Sequence, residues 1–298
     1  MITIDHLTKR FGRQLVLNDL NLKLESNQII GLLGRNGVGK STLLSLISAQ
    51  IRPTHGSIRV DGKDPWIAPS ARAQINFIQE GGYGTNMPVC DILDAASALL
   101  PQWDEELKRQ LLDLFQVPIK KHFPQLSRGY QTMVGLIIGL AGRSPYTFFD
   151  EPSLGLDAAN RDDFYRVLLE DFEAHPRTII ISTHLIDEAA NLFEKVIMLK
   201  DTQLIVDQDV ASLLEEHLSL SGRPEAIDEA MKGLPLLQPM AREAFGSHHI
   251  VYCRGRLEED QRERLRQLAI TVDPISLQKL FVLLTGETPP SNVPQAQH

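Results

Sequence analysis

Apolar positions in the first sixty residues recur in short runs, which predict strands at 2–4, 20–24, 28–33 and 57–60. A turn at Asp61-Gly62 closes the last of these. Residues 40–49 switch to helical spacing, with Leu43, Leu44 and Ile47 on one face, and this helix opens directly from a glycine-rich loop. Another short strand is predicted at 75–78, after which Gly81, Gly82 and Gly84 mark a change of organisation. From 89 to 142 the periods are helical, at 91–100, 105–115 and 131–140, broken by Pro88, Pro101, Pro118 and Pro124. This stretch reads as a helical insert. Buried apolar strands return at 146–149, 178–182 and 196–199, with helices at 158–173 and 185–193 between them. Apolar strands spaced by helices predict a largely parallel sheet covered on both faces.

After about Asp207 the pattern changes to a helix through Leu213, a short strand at 218–220, a helix at 224–232, a strand at 249–253, a helix at 258–268 and a final helix from Pro274. These predict a separate small α/β unit. The stretch from Thr288 is rich in Pro, Gln and Asn and reads as a frayed tail. No internal repeat is visible. The chain's 298 residues carry 30 Lys+Arg against 38 Asp+Glu, and a net charge of -8 gives no footprint for nucleic acid. Cys90 and Cys253 lie far apart without a CxxC pair, which predicts no disulfide framework and fits a reducing cytoplasm. His248, His249 and Cys253 have no further ligand at a useful metal-binding spacing. The longest apolar stretch, 133–141, falls well short of the ~20 residues that span a bilayer. With no signal-peptide pattern at the N-terminus either, any membrane role is expected to come through a partner.

Gly34-Arg35-Asn36-Gly37-Val38-Gly39-Lys40-Ser41-Thr42 fits G-x-x-x-x-G-K-[ST] between a buried strand and a helix. Gly37 and Gly39 let the backbone curl so that its N–H groups point at phosphate oxygens, and the helix N-terminus adds partial positive charge. Lys40 then reaches the β- and γ-phosphates, and the Ser41 hydroxyl is the expected ligand for a bridging Mg²⁺. Tyr146-Thr-Phe-Phe-Asp150-Glu151 is an apolar strand ending in two acids, at the sheet edge where ligands of parallel sheets collect. Alternation along a strand would send the two side chains to opposite sides, giving them different jobs. Asp150 is assigned to Mg²⁺ through its water shell and Glu151 to the attacking water as general base.

The ordered set Phe11, Gly34 to Thr42, Gln79, Leu126-Ser127-Arg128-Gly129-Tyr130, Phe148 to Glu151, Ser153-Leu-Gly-Leu-Asp157 and Ile181-Ser-Thr-His184 resembles the nucleotide-binding subunit of ABC transporters, over roughly residues 1–206. The resemblance implies a P-loop NTPase cassette of α/β class with an antiparallel β subdomain, a helical subdomain at about 83–145, and an added small α/β domain at 207–287, regulatory or dimerising, before a flexible tail at 288–298. It implies ATP and Mg²⁺ as cofactors and Mg-dependent ATP hydrolysis. Phe11 would stack on adenine, although a lone aromatic reads equally well as core. Gln79 would contact Mg²⁺ and couple to the transmembrane subunit, Asp157 would lie at a dimer interface, and His184 would contact the γ-phosphate and orient water. Ser127 and Gly129 would complete the site in trans.

The usual signature of that family is Leu-Ser-Gly-Gly-Gln, so Arg128 and Tyr130 are departures. Arg128 places a cation where a triphosphate is expected. Such variants resemble exporter-type bacterial cassettes with separate membrane subunits. The implied partners are a transmembrane permease and a second, identical cassette, with the chain on the cytoplasmic face of the membrane and no nucleic acid. The rival readings are a soluble cassette ATPase acting on ribosomes or DNA, and a nucleotide-gated regulatory module.

Overall fold

The computed structural model describes residues 1–79 and 85–286. Gly81, Gly82 and Gly84, and the tail expected from Thr288, lie outside the described residues. Two compact units divide the chain, Met1–Asp207 and Gln208–His298.

The first unit opens with a hairpin of β1 (Ile2–Phe11) and β2 (Gln14–Leu24), longer than alternation alone predicts. The register shifts between Ile4 and Leu7, where His6 (φ 49°) takes left-handed backbone and its Nδ1 meets Asp19 Oδ1 at 2.8 Å. That bulge breaks the period-two signal. β3 (Ile29–Gly34) feeds α1 (Lys40–Ile47), and β4 (His55–Val60) returns to pair antiparallel with β1, giving a three-stranded sheet in the order β2-β1-β4. A single turn, α2 (Pro69–Arg72), leads to β5 (Ile75–Ile78).

Three helices follow, α3 (Val89–Leu99), α4 (Glu105–Phe115) and α5 (Arg128–Ala141). The chain re-enters the core at β6 (Tyr146–Asp150), α6 (Ala158–Ala174) and β7 (Thr178–Ser182). A short α7 (Ile186–Ala189) runs into a 3-10 turn, Ala190–Leu192, where one continuous helix is expected from the sequence. β8 (Lys195–Lys200) and β9 (Gln203–Asp209) finish a six-stranded sheet in the order β5-β6-β7-β3-β8-β9. Every residue of β3, β6 and β7 is buried, and β3 pairs in parallel with both β7 and β8.

Burial of apolar area holds this sheet to its helices. Leu43, Leu44, Leu46 and Ile47 of α1 pack with Ile30, Leu32, Phe148, Ile180 and Ile197. On α5, Gly139 comes so close to β6 that an added Cβ would overlap the Phe149 ring. Gly139→Ala is therefore expected to destabilise the chain by about 1–3 kcal/mol, read as a lower urea midpoint at an unchanged m-value. Ionic contacts join the helical stretch to α6: Arg143 reaches Asp104 at 2.6 Å and Asp171 at 2.8 Å, and Arg177 meets the other Asp171 oxygen at 2.8 Å.

In the second unit, α8 (Val210–Glu215) precedes β10 (His217–Gly222), α9 (Pro224–Lys232), β11 (Gln238–Phe245), β12 (His248–Arg254), α10 (Glu259–Gln267), β13 (Thr271–Pro274) and α11 (Leu277–Thr285). The sheet order β11-β12-β10-β13, with all three pairings antiparallel, is the split βαβ arrangement of ferredoxin-like units. Its core sets Leu218, Leu220, Val251 and Cys253 against Ile227, Ala230 and Leu265. Burial pushes the Cys253 thiol up to about 11. The final helix starts at Leu277 instead of Pro274, because Ser276 caps it and Pro274 ends the edge strand.

Candidate nucleotide site

Parallel pairing aligns the C-terminal ends of β3, β6 and β7, with Asp150 opposite Ser182 and Leu32 opposite Ser182 on the other side. Three loops leave the sheet at that edge. The first is Gly34 to Gly39, where Gly37 (φ 80°) and Gly39 (φ 115°) take left-handed backbone before α1 starts at Lys40. At Gly39 a side chain is excluded twice over, since an added Cβ would sit 2.8 Å from Leu17 Cδ2. Lys40 is 6% exposed, and its Nζ donates to the Gly34 carbonyl at 2.8 Å, so the ammonium lies inside the loop it terminates.

The second loop begins at Glu151. β6 ends at Asp150, and Glu151 has φ 52°, outside the strand. Strand alternation therefore does not separate the two acids, as the sequence reading supposes; a left-handed turn does. Asp150 accepts from Ser182 Oγ at 2.5 Å, whereas Glu151 lies 3.6 Å from Lys40 Nζ through Oε1 and 2.7 Å from His184 Nδ1 through Oε2. The Glu151 side chain is 11% exposed, so this carboxylate sits between two nitrogen groups with little water around it. Thr183 and His184 form the third loop, directly after β7.

The donor set fits a small hard cation. Ser41 offers a hydroxyl, Asp150 a carboxylate and Gln79 an amide oxygen, all oxygen ligands of the kind Mg²⁺ takes alongside phosphates and water. Among the described residues no cluster of three or more His, Cys, Asp or Glu forms a cage for a metal. A cation at this edge needs phosphate oxygens to complete its shell. The curled Gly34–Lys40 segment, ending at a helix N-terminus, supplies the matching N–H groups for those phosphates.

The remaining positions of interest lie at the margins. Arg35, Asn36, Val38 and Thr42 belong to the loop and the first turn of α1. Gln79 follows β5 and donates to Gln50 Oε1 at 2.7 Å, and together with Arg128, Asp150 and Glu151 it lines a cavity of about 210 Å³. Ser127 caps α5, its Oγ accepting from Tyr130 N at 3.4 Å, so that helix starts at Arg128 and not at 131 as its periodicity suggests. Gly129 lies in its first turn, where an added Cβ would meet the Gly155 carbonyl at 2.7 Å. Asp157 caps α6 through the Asn160 N–H at 2.9 Å. Phe11 is 49% exposed at the end of β1, so it is no core residue. No hydrogen bond or ion pair among the described residues links Phe11, Ser127 or Asp157 to the Lys40, Glu151 and His184 group. Sequence reasoning missed Gln50, which carries no signal, and Ser182, whose signal is a hydroxyl ending a buried apolar strand.

Comparison with known proteins decides the family. The ABC transporter family model matches residues 17–154. The aliphatic sulfonates import ATP-binding protein SsuB of Zymomonas mobilis is 32% identical, over 70% of this chain and 86% of its own length. The chain belongs to the ABC transporter ATP-binding family. As a member it is an ATPase that uses ATP with Mg²⁺. The ABC transporter ATP-binding protein YtrB of Bacillus subtilis is 25% identical over 96% of this chain and 98% of its own length, so that likeness extends through the second unit. Among solved structures, a dimeric ATP-binding cassette in a post-hydrolysis state with ADP and Pi superposes at a TM-score of 0.60, with 20% identity over 70% of this chain and 99% of that one. Among the described residues no helix of this cassette is long and apolar enough to cross a membrane.

Proposed function

We propose that this cassette powers a separate transmembrane permease from the cytoplasmic face, as one of two identical subunits closing on two ATP molecules. The observation that carries the reading is the convergence of Lys40, Glu151 and His184 at one sheet edge, Ser41 and Asp150 being the chain neighbours of Lys40 and Glu151. Lys40 exchanges its Gly34 carbonyl for β- and γ-phosphate oxygens when ATP enters. Mg²⁺, when bound, neutralises charge on those phosphates, and Ser41, Asp150 and Gln79 would hold it. Glu151 takes a proton from water as that oxygen bonds to the γ-phosphorus, and the bond to the β,γ-bridging oxygen breaks to leave ADP and inorganic phosphate. A proton on His184 Nδ1 donates to Glu151 and fixes the carboxylate's direction.

Phe11, exposed at the end of β1, stacks on adenine. Ser127 and Gly129, together with Arg128, present a helix N-terminus to the γ-phosphate of the opposite subunit, and Asp157 lies at the same interface. The dimeric cassette among the structural neighbours supports that assembly. The second unit regulates or strengthens the dimer, a reading supported by its own hydrophobic core. Export is the direction favoured, on the departure of Arg128 and Tyr130 from the usual signature.

Light scattering on Glu151→Gln tests the assembly. With ATP and Mg²⁺ the mass is expected to double relative to ADP, and Ser127→Arg in the same background is expected to keep it monomeric. A mass independent of the nucleotide would overturn the composite site.

A further inference from the structure

Phe11 does not stand alone at the end of β1. Lys9, two residues earlier, places its Nζ 4.6 Å from the centroid of the Phe11 ring. The same ammonium donates to the Arg52 carbonyl at 2.7 Å, and the Arg52 guanidinium lies 4.9 Å from the centroid of the Trp66 ring. A chain of contacts thus runs from Trp66 through Arg52 and Lys9 to Phe11, all within the first unit. The ring, 49% exposed, has a cation on one face and is open to solvent.

We infer that Lys9 is a positioning residue for the nucleotide base: it holds the Phe11 ring in place and draws the ring's electron density away from the face that adenine meets. This rests on the reading of Phe11 as the stacking residue. A free phenyl at a hairpin end loses rotamer freedom when a base stacks on it, and that loss weakens binding. A ring already seated under an ammonium has lost part of that freedom beforehand. The electrostatics act in the same direction, because a phenyl face is negative and so is the face of an electron-rich purine. The ammonium on the far side relieves that repulsion.

Exposed cation–π contacts of this kind correspond to roughly two- to fivefold in affinity. The test is calorimetric binding of ATP and of inorganic tripolyphosphate to the full chain carrying Glu151→Gln, with Mg²⁺ present. Lys9→Met is expected to raise the Kd for ATP about two- to fivefold while leaving that for tripolyphosphate, which has no base, where it was. Lys9→Arg is expected to restore ATP binding, and in a Phe11→Ala background Lys9→Met is expected to change nothing further. Equal weakening of both ligands, or the same loss with and without Phe11, would overturn the role given to Lys9. If Phe11→Ala itself leaves ATP affinity unchanged, the stacking reading falls first and takes the inference with it.

Discussion

Glu151→Gln is expected to lower steady-state ATP turnover by at least about a hundredfold, the range a positioned general base supplies, while ATP still binds. The substitution keeps the shape of the side chain and removes its capacity to take a proton. Its geometry explains why no neighbour replaces it. Asp150 is committed to Ser182 at 2.5 Å, and His184 is attached to Glu151 itself at 2.7 Å. His184→Ala, which leaves the carboxylate but frees its orientation, is expected to lose less. Rapid-mix phosphate release separates the cases: Glu151→Gln shows no burst, and equal turnover in wild type and Glu151→Gln would remove Glu151 as the base.

Asp171→Asn is expected to cost about 3–5 kcal/mol of stability, as breaking a buried ion pair does. Asp171 and Arg177 side chains are 3% and 4% exposed, and Arg143 adds a second cation to the same carboxylate. Burial pulls the Arg177 guanidinium below its ordinary value, and the neighbouring Asp171 carboxylate opposes that pull. An amide leaves the buried Arg177 guanidinium without a carboxylate, whereas Arg143 keeps Asp104 at 2.6 Å. The loss is a large share of the 5–15 kcal/mol that typically holds a fold together, and a urea titration reads it as a lower midpoint. Adding Arg177→Met to Asp171→Asn is expected to recover part of it, because the stranded charge goes with it. A midpoint unchanged in the single variant would contradict this account of how α4, α5 and α6 are tied.

Elements with strong periodicity were legible from the residues alone. β3, β6 and β7 are continuous apolar runs buried on both faces, and α4 carries Leu107, Leu111 and Phe115 on one buried stripe. Three edge strands, β9, β11 and β13, were not. β11 contains Pro239, Arg242 and Glu243 and is nowhere fully buried, while β13 spans only Thr271–Pro274. Edges are kept polar and short to discourage further pairing, which also removes the alternation that would reveal them. β9 escaped notice for a similar reason, with Val206 its single buried residue. At the site, the phosphate loop was visible because its glycines and lysine have a fixed spacing. Their expected meeting with Glu151 and His184 at one site rested on the family resemblance, but the direct contacts of Glu151 with Lys40 and His184 were not legible, since they depend on strand order and on a left-handed turn at Glu151 that no local pattern announces.

Capture of the chain from its native cell tests the proposal that ATP hydrolysis here drives a membrane partner. Tagged Glu151→Gln, recovered from gently solubilised membranes with ATP present and analysed by mass spectrometry, is expected to bring down a polytopic membrane protein in stoichiometric amount, and much less of it with ADP. Recovery of ribosomes or DNA complexes without any membrane protein would contradict the account and move the function to a cassette ATPase of the soluble kind.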